Sequence, residues 1–305
     1  MYDMVIIGGG PTGLNAGLYA GRAGLRALII EKLFSGGQAA TTYEVDNYLG
    51  FVSSISGPDL VMKMEEHAKK FGAEIIHETV ERLELEGPVK RVYTAQNAYE
   101  AKVLVLAMGA TPRKLGVDGE QQFSGRGVSY CATCDGNFYR NRPVMVVGGG
   151  DTALEDALYL ANICQTVYLV HRRDAFRGAK TLEDAVRANP NIQLVLEAEV
   201  ERLEGEKMLQ TVYVKHKSTG AVEGYAVNGL FIAVGASPSS GLVKGMVDMD
   251  EYGYIVTDED MRTSVPGVLA AGDIRKKKLR QIITAASDGA VAVYTAQSYI
   301  AGGDA

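Results

Sequence analysis

The sequence predicts an α/β protein made of two similar units, one inserted into the other. A glycine-rich turn between an apolar strand and a helix occurs twice, near residues 8 and 148. An apolar strand followed by glycine and then proline also occurs twice, at residues 103–112 and 230–238. The chain has 305 residues, a length that suggests two domains.

The first glycine turn fits the fingerprint of a dinucleotide-binding unit. A buried strand over residues 5–7 leads into Gly8, Gly10 and Gly13, in the pattern G-x-G-x-x-G, and a helix follows from Leu14 to about residue 22. A pyrophosphate group would meet free N–H groups and the positive end of the helix dipole. Glu31 ends the second strand. A carboxylate there accepts hydrogen bonds from a ribose diol, which predicts FAD or NAD as the ligand.

The second glycine turn repeats the first at an offset of 140 residues. Residues 5–31 and 145–171 align without a gap, so Gly148, Gly150 and Ala153 occupy the three fingerprint positions. The position of Glu31 is taken by His171, with Arg172, Arg173 and then Arg177 after it. Two charge-assisted contacts to a 2′-phosphate would favour NADPH over NADH by about 3–6 kcal/mol, roughly 10²–10⁴-fold. The alternative is a solvated basic turn.

The remaining elements complete the nested arrangement. An amphipathic helix is expected over residues 58–71 and an alanine-rich helix over 282–299. A strand over 268–271 leads to Gly272 and Asp273, where the carboxylate could bond a ribityl hydroxyl of a flavin. The basic run 275–280 is predicted to be a solvated loop. We expect a first domain of residues 1–113 and 242–305, an inserted domain of residues 114–241, and a two-stranded hinge at their joins.

A pair of cysteines in the insert predicts redox chemistry. Cys131 and Cys134 are three residues apart, and Asp135 follows at once. On a helical turn this spacing puts both sulfurs on one face, within reach of disulfide geometry. Asp135 could exchange a proton with a departing thiolate. Half of a zinc site is the alternative, but zinc would need a further Cys or His pair nearby, so we expect no metal. Cys164 is the third cysteine and is interpreted as structural.

Composition excludes several classes of protein. The net charge of -6 gives no indication of nucleic-acid binding, and the apolar runs are too short for a membrane span. Three cysteines are too few for a secreted disulfide scaffold. The first strand follows Met1 without a signal peptide, so we expect a cytoplasmic protein.

Taken together, these motifs resemble those of the low-molecular-weight thioredoxin reductases over essentially the whole chain. The resemblance rests on the two fingerprints, on Cys-Ala-Thr-Cys-Asp-Gly at 131–136 and on His-Arg-Arg with a further arginine at 171–177. It implies a homodimeric enzyme that passes electrons from NADPH through FAD and the Cys131/Cys134 disulfide to thioredoxin, with domain rotation between half-reactions.

The resemblance also implies roles for individual residues. Cys134 would meet the flavin, Cys131 would exchange with thioredoxin, and Asp135 would be the acid/base partner. Thioredoxin would be seated near residues 126–130. The FAD contacts would be Gly8, Gly10, Gly13, Glu31, Gly36, Gln38, Asn47, Gly109, Gly272, Asp273, Arg280 and Gln281. The NADPH contacts would be Gly148, Gly150, Asp151, Ala153, Arg172, Arg173 and Arg177.

Three other functions remain open at this point. A flavin dithiol oxidase would keep the CxxC but should lack a basic 2′-phosphate clamp. A relative could reduce a glutaredoxin-like or peroxiredoxin-linked partner instead of thioredoxin. A flavin-carrying electron-transfer protein would use no dithiol chemistry, and its turnover would survive replacement of both cysteines.

Overall fold

The computed structural model describes residues 1–42 and 44–302, which form two compact units. Unit 1 comprises Met1–Thr111 and Ser237–Ala305, and unit 2 comprises Pro112–Ala236. The sequence places the corresponding joins at 113/114 and 241/242. The chain passes from one unit to the other in two short strands that pair with each other, β7 (Ala110–Pro112) and β16 (Ala236–Pro238).

The first part of unit 1 supplies most of its sheet. Its elements are β1 (Tyr2–Ile7), α1 (Pro11–Arg22), β2 (Ala27–Glu31), α2 (Gly57–Lys70), β3 (Glu74–His77), β4 (Val80–Glu84), β5 (Lys90–Thr94), β6 (Ala98–Leu106) and β7. The strand order is β3-β2-β1-β6-β5-β4. β1, β2, β3 and β6 are parallel, whereas β4 and β5 form an antiparallel extension. Ser56 caps α2 by accepting a hydrogen bond from Asp59 N, as its position before the helix favours.

Unit 2 repeats the parallel arrangement and adds an antiparallel sheet. Its elements are β8 (Val128–Ser129), α3 (Ala132–Asp135), β9 (Pro143–Gly148), α4 (Asp151–Ala161), β10 (Thr166–Val170), α5 (Lys180–Ala188), β11 (Ile192–Val195), β12 (Ala198–Glu204), β13 (Thr211–His216), β14 (Val222–Ala226), β15 (Gly229–Ala233) and β16. The parallel sheet has the order β11-β10-β9-β15-β8, and β12-β13-β14 form the second sheet.

The chain then returns to unit 1 with β17 (Val268–Ala270), which pairs with β6, and α6 (Ile282–Ile300). Alternate residues of β1 face opposite sides of the sheet, as a strand requires. Met4 and Ile6 belong to one core with α1, α2 and α6, and Val5 and Ile7 belong to the other, which β4 and β5 cover. In unit 2, one core packs α4 against the parallel sheet and the other packs the antiparallel sheet against its opposite face.

The duplication predicted from the sequence extends to the strand register. Ile6 pairs with Ile29 in unit 1, and Val146 pairs with Leu169 in unit 2, which is the same pairing displaced by 140 residues. Both glycine turns therefore lie at the carboxyl end of a central parallel strand, where open α/β sheets bind their ligands. None of the helices in the described residues is long and apolar enough to cross a membrane.

Candidate functional site

The first glycine turn is shaped by close packing on one side and open space on the other. Gly8 has a φ of 107°, and a Cβ there would collide with the carbonyl of Ala107. A Cβ at Gly13 would collide with the carbonyl of Gly8, which fixes the helix against the strand. At Gly10 a Cβ would meet no atom of the described residues within 4 Å, so the turn has room beside the first turn of α1. No side chain caps this helix start. The turn therefore presents backbone N–H groups to an open space, as a diphosphate requires.

Glu31 closes the same turn from the next strand. Its Oε2 accepts a hydrogen bond from Gly9 N at 2.7 Å, and its Oε1 accepts one from Lys32 N at 2.7 Å. Oε1 accepts a second bond from Leu33 N at 3.2 Å. The three bonds hold the carboxylate beside the glycines and leave one acceptor position, on Oε2, because each carboxylate oxygen can accept two bonds. An acceptor position at the end of β2 fits the ribose hydroxyl that the sequence predicts there.

Backbone and side-chain hydrogen bonds connect other predicted FAD residues to the first glycine turn or to one another. Gly36 N donates to Gly9 O at 2.7 Å, which brings the predicted residues Gly36 and Gln38 to the glycine turn. Asn47 donates from its amide to Gln281 Oε1 at 2.9 Å, although the two residues are 234 positions apart. Gly109 adopts a φ of 66°, and its carbonyl accepts from Ser239 N at 3.0 Å.

The Gly272–Asp273 corner also packs on the glycine turn. A Cβ at Gly272 would collide with Thr12 Oγ1, in the first turn of α1. Asp273 Oδ1 is buried and has no hydrogen-bond partner among the described residues, and burial raises the pKa of this carboxyl. Arg280 stacks its guanidinium 4.2 Å from the ring centre of Tyr254, and its Nε is buried without a partner in the same residues. Buried polar atoms normally have partners. The unsatisfied oxygen of Asp273, together with the space at Gly10, fits a polar ligand such as FAD.

A buried ion cluster supports this corner. Asp288, on α6, is 6% exposed. It accepts hydrogen bonds from Arg275 Nε at 2.8 Å, Lys277 Nζ at 2.9 Å and Gly272 N at 2.9 Å. The expectation that residues 275–280 form a solvated loop is therefore wrong for two of them: Arg275 and Lys277 are turned inward to this carboxylate, whereas Lys276 and Lys278 are exposed.

The second glycine turn has the same shape with a different neighbour. A Cβ at Gly148 would collide with the carbonyl of Ala233, and a Cβ at Gly150 would have no neighbour within 4 Å in the part of the chain that the structure describes. At Gly149 a Cβ would collide with the ring of His171. His171 is buried, stacks on Phe176 with ring centres 5.4 Å apart, and has no hydrogen-bond partner for Nε2 among the described residues.

Hydrogen bonds tie the segment after His171 back to this turn. Arg177 N donates to Gly149 O at 2.7 Å, and Asp151 Oδ1 accepts from Ala179 N at 2.6 Å. Asp151 begins α4, so the loop that carries the arginines is attached to the start of the helix. Ala153 is buried on the same helix.

The charges of three arginines act on His171. Burial lowers the pKa of His171, and the charges of Arg177, Arg172 and Arg173 lower it further. All three arginines are exposed, and none forms an ion pair with any residue that the structure describes. The sequence predicts a 2′-phosphate clamp from these residues, and uncompensated, solvent-accessible guanidinium groups beside a glycine turn fit that ligand.

The cysteine pair forms a disulfide at the start of a short helix. Cys131 and Cys134 are joined, with their Cα atoms 5.3 Å apart, and Cys131 immediately precedes α3. Both residues are partly exposed. Burial raises the pKa of Asp135, and its Oδ2 accepts a hydrogen bond from Ser129 Oγ at 2.6 Å. A carboxyl with a raised pKa beside a disulfide can hold and release a proton.

The segment before the disulfide is anchored by a buried carboxylate. Glu120 is 3% exposed and accepts from Leu115 N at 3.1 Å, Gly116 N at 2.7 Å and Tyr130 OH at 2.7 Å. Burial, and then the contact with Glu120, raises the pKa of Tyr130. Sequence reasoning did not identify Glu120, which belongs to no recognised motif, and it named Ser129 only as part of the segment 126–130. The Ser-x-Cys spacing before the CxxC was the available signal for a role of Ser129 at the disulfide.

The structure departs from the prediction for residues 126–130. The sequence predicts that these residues form the surface that seats thioredoxin. Val128 and Ser129 instead form β8, pair with β15 and are buried, and Gly127 is buried as well. Only Arg126 and, in part, Tyr130 are accessible. A partner could contact the two ends of this segment but not its middle, since inward-facing strand residues are covered by the core.

No group of three or more His, Cys, Asp or Glu side chains in the described residues could hold a metal ion. Cys164 is buried, and burial raises its pKa to about 11. The residues predicted to contact FAD all lie in unit 1, and the disulfide and the residues predicted to contact NADPH all lie in unit 2.

Comparisons with known proteins identify the family of the chain. The family model described as pyridine nucleotide-disulphide oxidoreductase matches residues 2–289. A protein of Peptoclostridium acidaminophilum named thioredoxin reductase is 43% identical over 98% of this chain and 97% of its own length. The crystal structure of thioredoxin reductase from Streptococcus pyogenes has a TM-score of 0.94 and 44% identity, and the match covers 99% of both chains.

A second solved structure has a similar sequence identity to this chain but a lower TM-score. It is thioredoxin reductase of Lactococcus lactis, described as being in the FR conformation, with a TM-score of 0.68 and 39% identity over 99% of this chain and 100% of that chain. The α/β fold class with two Rossmann-like domains and the resemblance stated from the sequence are both confirmed. The chain belongs to the pyridine nucleotide-disulphide oxidoreductase family, in its group of low-molecular-weight thioredoxin reductases.

Proposed function

We propose that this chain is an NADPH-dependent thioredoxin-disulfide reductase, with unit 1 as its FAD-binding domain and unit 2 as its NADPH-binding domain. The observation that carries the proposal is the Cys131–Cys134 disulfide with Asp135 beside it, in the same unit as the glycine turn and its arginines. The relatives named thioredoxin reductase cover nearly the full chain at 40–44% identity, which supports the same activity here.

The residues of each unit fit their ligands separately. In unit 1, Glu31 would hold the adenosine ribose, and Asp273 would accept from a hydroxyl of the flavin side chain. In unit 2, Arg172, Arg173 and Arg177 would hold the 2′-phosphate of NADPH. FAD, when bound, supplies a two-electron relay between the nicotinamide and the disulfide.

Reduction of the disulfide gives two thiols, and the chain then performs thiol–disulfide exchange. We assign Cys134 as the sulfur that receives electrons and Cys131 as the exchange thiol. As a thiolate, Cys131 attacks one sulfur of the thioredoxin disulfide, forming a mixed disulfide and releasing a thiolate on thioredoxin. Cys134 then attacks Cys131, which restores the Cys131–Cys134 bond and frees the second thioredoxin thiol. Asp135 gives and accepts the protons that these thiolates exchange.

Rotation of one domain against the other is part of the proposal. Within residues 1–42 and 44–302, the chain crosses between the units only in the regions of β7 and β16, and few-residue connections of this kind can act as hinges. The two solved relatives have similar identity and coverage but TM-scores of 0.94 and 0.68. A change in domain placement between those two relatives would produce such a difference.

A homodimer and a cytoplasmic location belong to the same proposal. They rest on the resemblance and on the composition of the chain. Sedimentation of the flavin-loaded protein at several concentrations would measure the oligomeric state, and a monomer at all of them would refute the dimer.

The test is turnover of the flavin-loaded protein with NADPH and oxidised thioredoxin, followed by thiol release. We expect turnover that needs both substrates, is lost in Cys134→Ser and is much weaker with NADH. Flavin reduction by NADPH without transfer to thioredoxin would point to a different disulfide partner. Equal rates with oxygen alone would favour a dithiol oxidase, although the arginines around His171 count against that function.

A further inference from the structure

Ser129 connects Asp135, at the end of α3, to Cys131, which immediately precedes α3. It lies in β8, opposite Phe231 of β15, and is only 5% exposed. Its hydroxyl donates to Asp135 Oδ2 at 2.6 Å and accepts a hydrogen bond from Cys131 N at 3.1 Å. The carbonyl of Cys131 is a second possible acceptor at 3.3 Å. Because a hydroxyl has one proton, the shorter contact to the charged carboxylate is the stronger bond.

We propose that Ser129 is a positioning residue that stabilises the Asp135 carboxylate and fixes its position relative to the backbone of Cys131. This inference rests on the proposed function, in which Asp135 exchanges protons with the thiolates. Ser129 is not accessible to thioredoxin, so its effect is exerted through Asp135.

Two opposing effects set the pKa of Asp135, and one of them comes from Ser129. Burial raises the pKa of Asp135, and the hydrogen bond from Ser129 lowers it. Without Ser129 only the burial effect would remain, and the carboxyl would stay protonated to higher pH. A hydrogen bond to a charged group, converted at 1.36 kcal/mol per unit, corresponds to a shift of about one to two pKa units.

Other titratable and charged groups lie in the segment that follows α3 and on α4, which packs against α3. Tyr139, in the turn that follows α3, has a pKa raised to about 12 by burial and then by the charge of Asp135, so it stays neutral at working pH. Arg142 partly offsets that rise. On α4, which packs against α3, burial and then the charge of Glu155 raise the pKa of Asp156 to about 7. Asp156 therefore titrates in the range of interest and must be assigned separately.

The direct test is a pH titration of the Asp135 carboxyl carbon by NMR in the oxidised protein, labelled with ¹³C at the aspartate carboxyls. Asp135→Asn and Asp156→Asn identify the two signals. We expect Ser129→Ala to raise the pKa of Asp135 by about one to two units and Ser129→Thr, which keeps the hydroxyl, to restore it. An unchanged pKa in Ser129→Ala, or an equal shift in both variants, would overturn the proposal.

The second readout is the pH profile of thioredoxin reduction. In Ser129→Ala the apparent pKa of Asp135 in the pH–rate profile should rise by as much as its pKa rises in the NMR titration. KM for NADPH should stay unchanged, because the arginines are untouched. A fall in rate at every pH without a rise in this apparent pKa would indicate a structural role only and would also refute the inference. Absence of thioredoxin reduction in the unmodified protein would refute the proposed function, while the titration would still test Ser129.

Discussion

Replacing Asp288 by Asn should strongly destabilise unit 1. The change preserves the shape of the side chain but removes the charge that compensates Arg275 and Lys277, whose side chains are 16% and 9% exposed. Removing one partner of a buried ion pair leaves uncompensated charge and costs about 3–5 kcal/mol. For a domain of 150–250 residues this corresponds to a fall in Tm of roughly 6–20 °C.

The effect should depend on pH in a defined direction. Burial opposes ionisation of Asp288, but hydrogen bonds from Arg275 and Lys277 outweigh it and hold the pKa below its ordinary value. A carboxyl with a lowered pKa stabilises the fold above its unfolded pKa, near 3.9, and this contribution is lost as the pH falls through the folded pKa. The difference between the unmodified protein and Asp288→Asn should therefore be full at pH 7 and shrink below about pH 4.

Urea unfolding of the flavin-loaded protein, followed by flavin release and by circular dichroism, measures the loss. Glu100→Gln is the matched control, because Glu100 pairs with Arg91 in the same unit but both side chains are nearly half exposed. An exposed pair of this kind contributes little to stability, because solvent screens its charges. If Asp288→Asn costs no more than Glu100→Gln, the buried cluster does not stabilise the flavin-side corner as argued.

Three further outcomes are expected. Arg172→Ala should lower kcat/KM for NADPH by about 10- to 100-fold and leave NADH nearly unchanged; equal losses with both coenzymes would contradict the clamp. Tyr130→Phe leaves Glu120 with two backbone donors and should cost about 1.5–3 kcal/mol in urea unfolding, whereas no measurable cost would show that the phenol bond is not formed in solution. Cys164, with a pKa raised to about 11, should resist iodoacetamide at neutral pH in the folded, reduced protein and react in urea, as counted by mass spectrometry.

The features that the sequence predicted well are those set by local geometry. A buried strand followed by Gly8, Gly10 and Gly13 can be recognised because the turn, the ligand space and the helix packing each require glycine at a fixed position. The second turn follows from the same rule. The disulfide could be anticipated from its spacing, since three residues bring two sulfurs to one face of a helical turn.

Features made by residues distant in sequence were less accessible. The bond between Asn47 and Gln281 joins two loops, and only the resemblance pointed to both residues. The inward orientation of Arg275 and Lys277 depends on Asp288, one helix later, and a run of like charges gives no sign of such a partner. The burial of Ser129 depends on pairing with β15, which a two-residue strand does not show in its own pattern.

The contact between Gly149 and His171 restricts the side chains that can stand at these two positions together, although the glycine fingerprint leaves position 149 open. Position 149 is formally variable in the fingerprint, yet the imidazole fills the volume that a larger side chain would need. Its counterpart Gly9 has Glu31 in the same place, with a Cβ there only 3.0 Å from that of Glu31. A larger residue at 149 therefore requires a smaller one at 171, and a library that varies position 149 should vary position 171 with it, since changes at 149 alone would be eliminated for steric reasons.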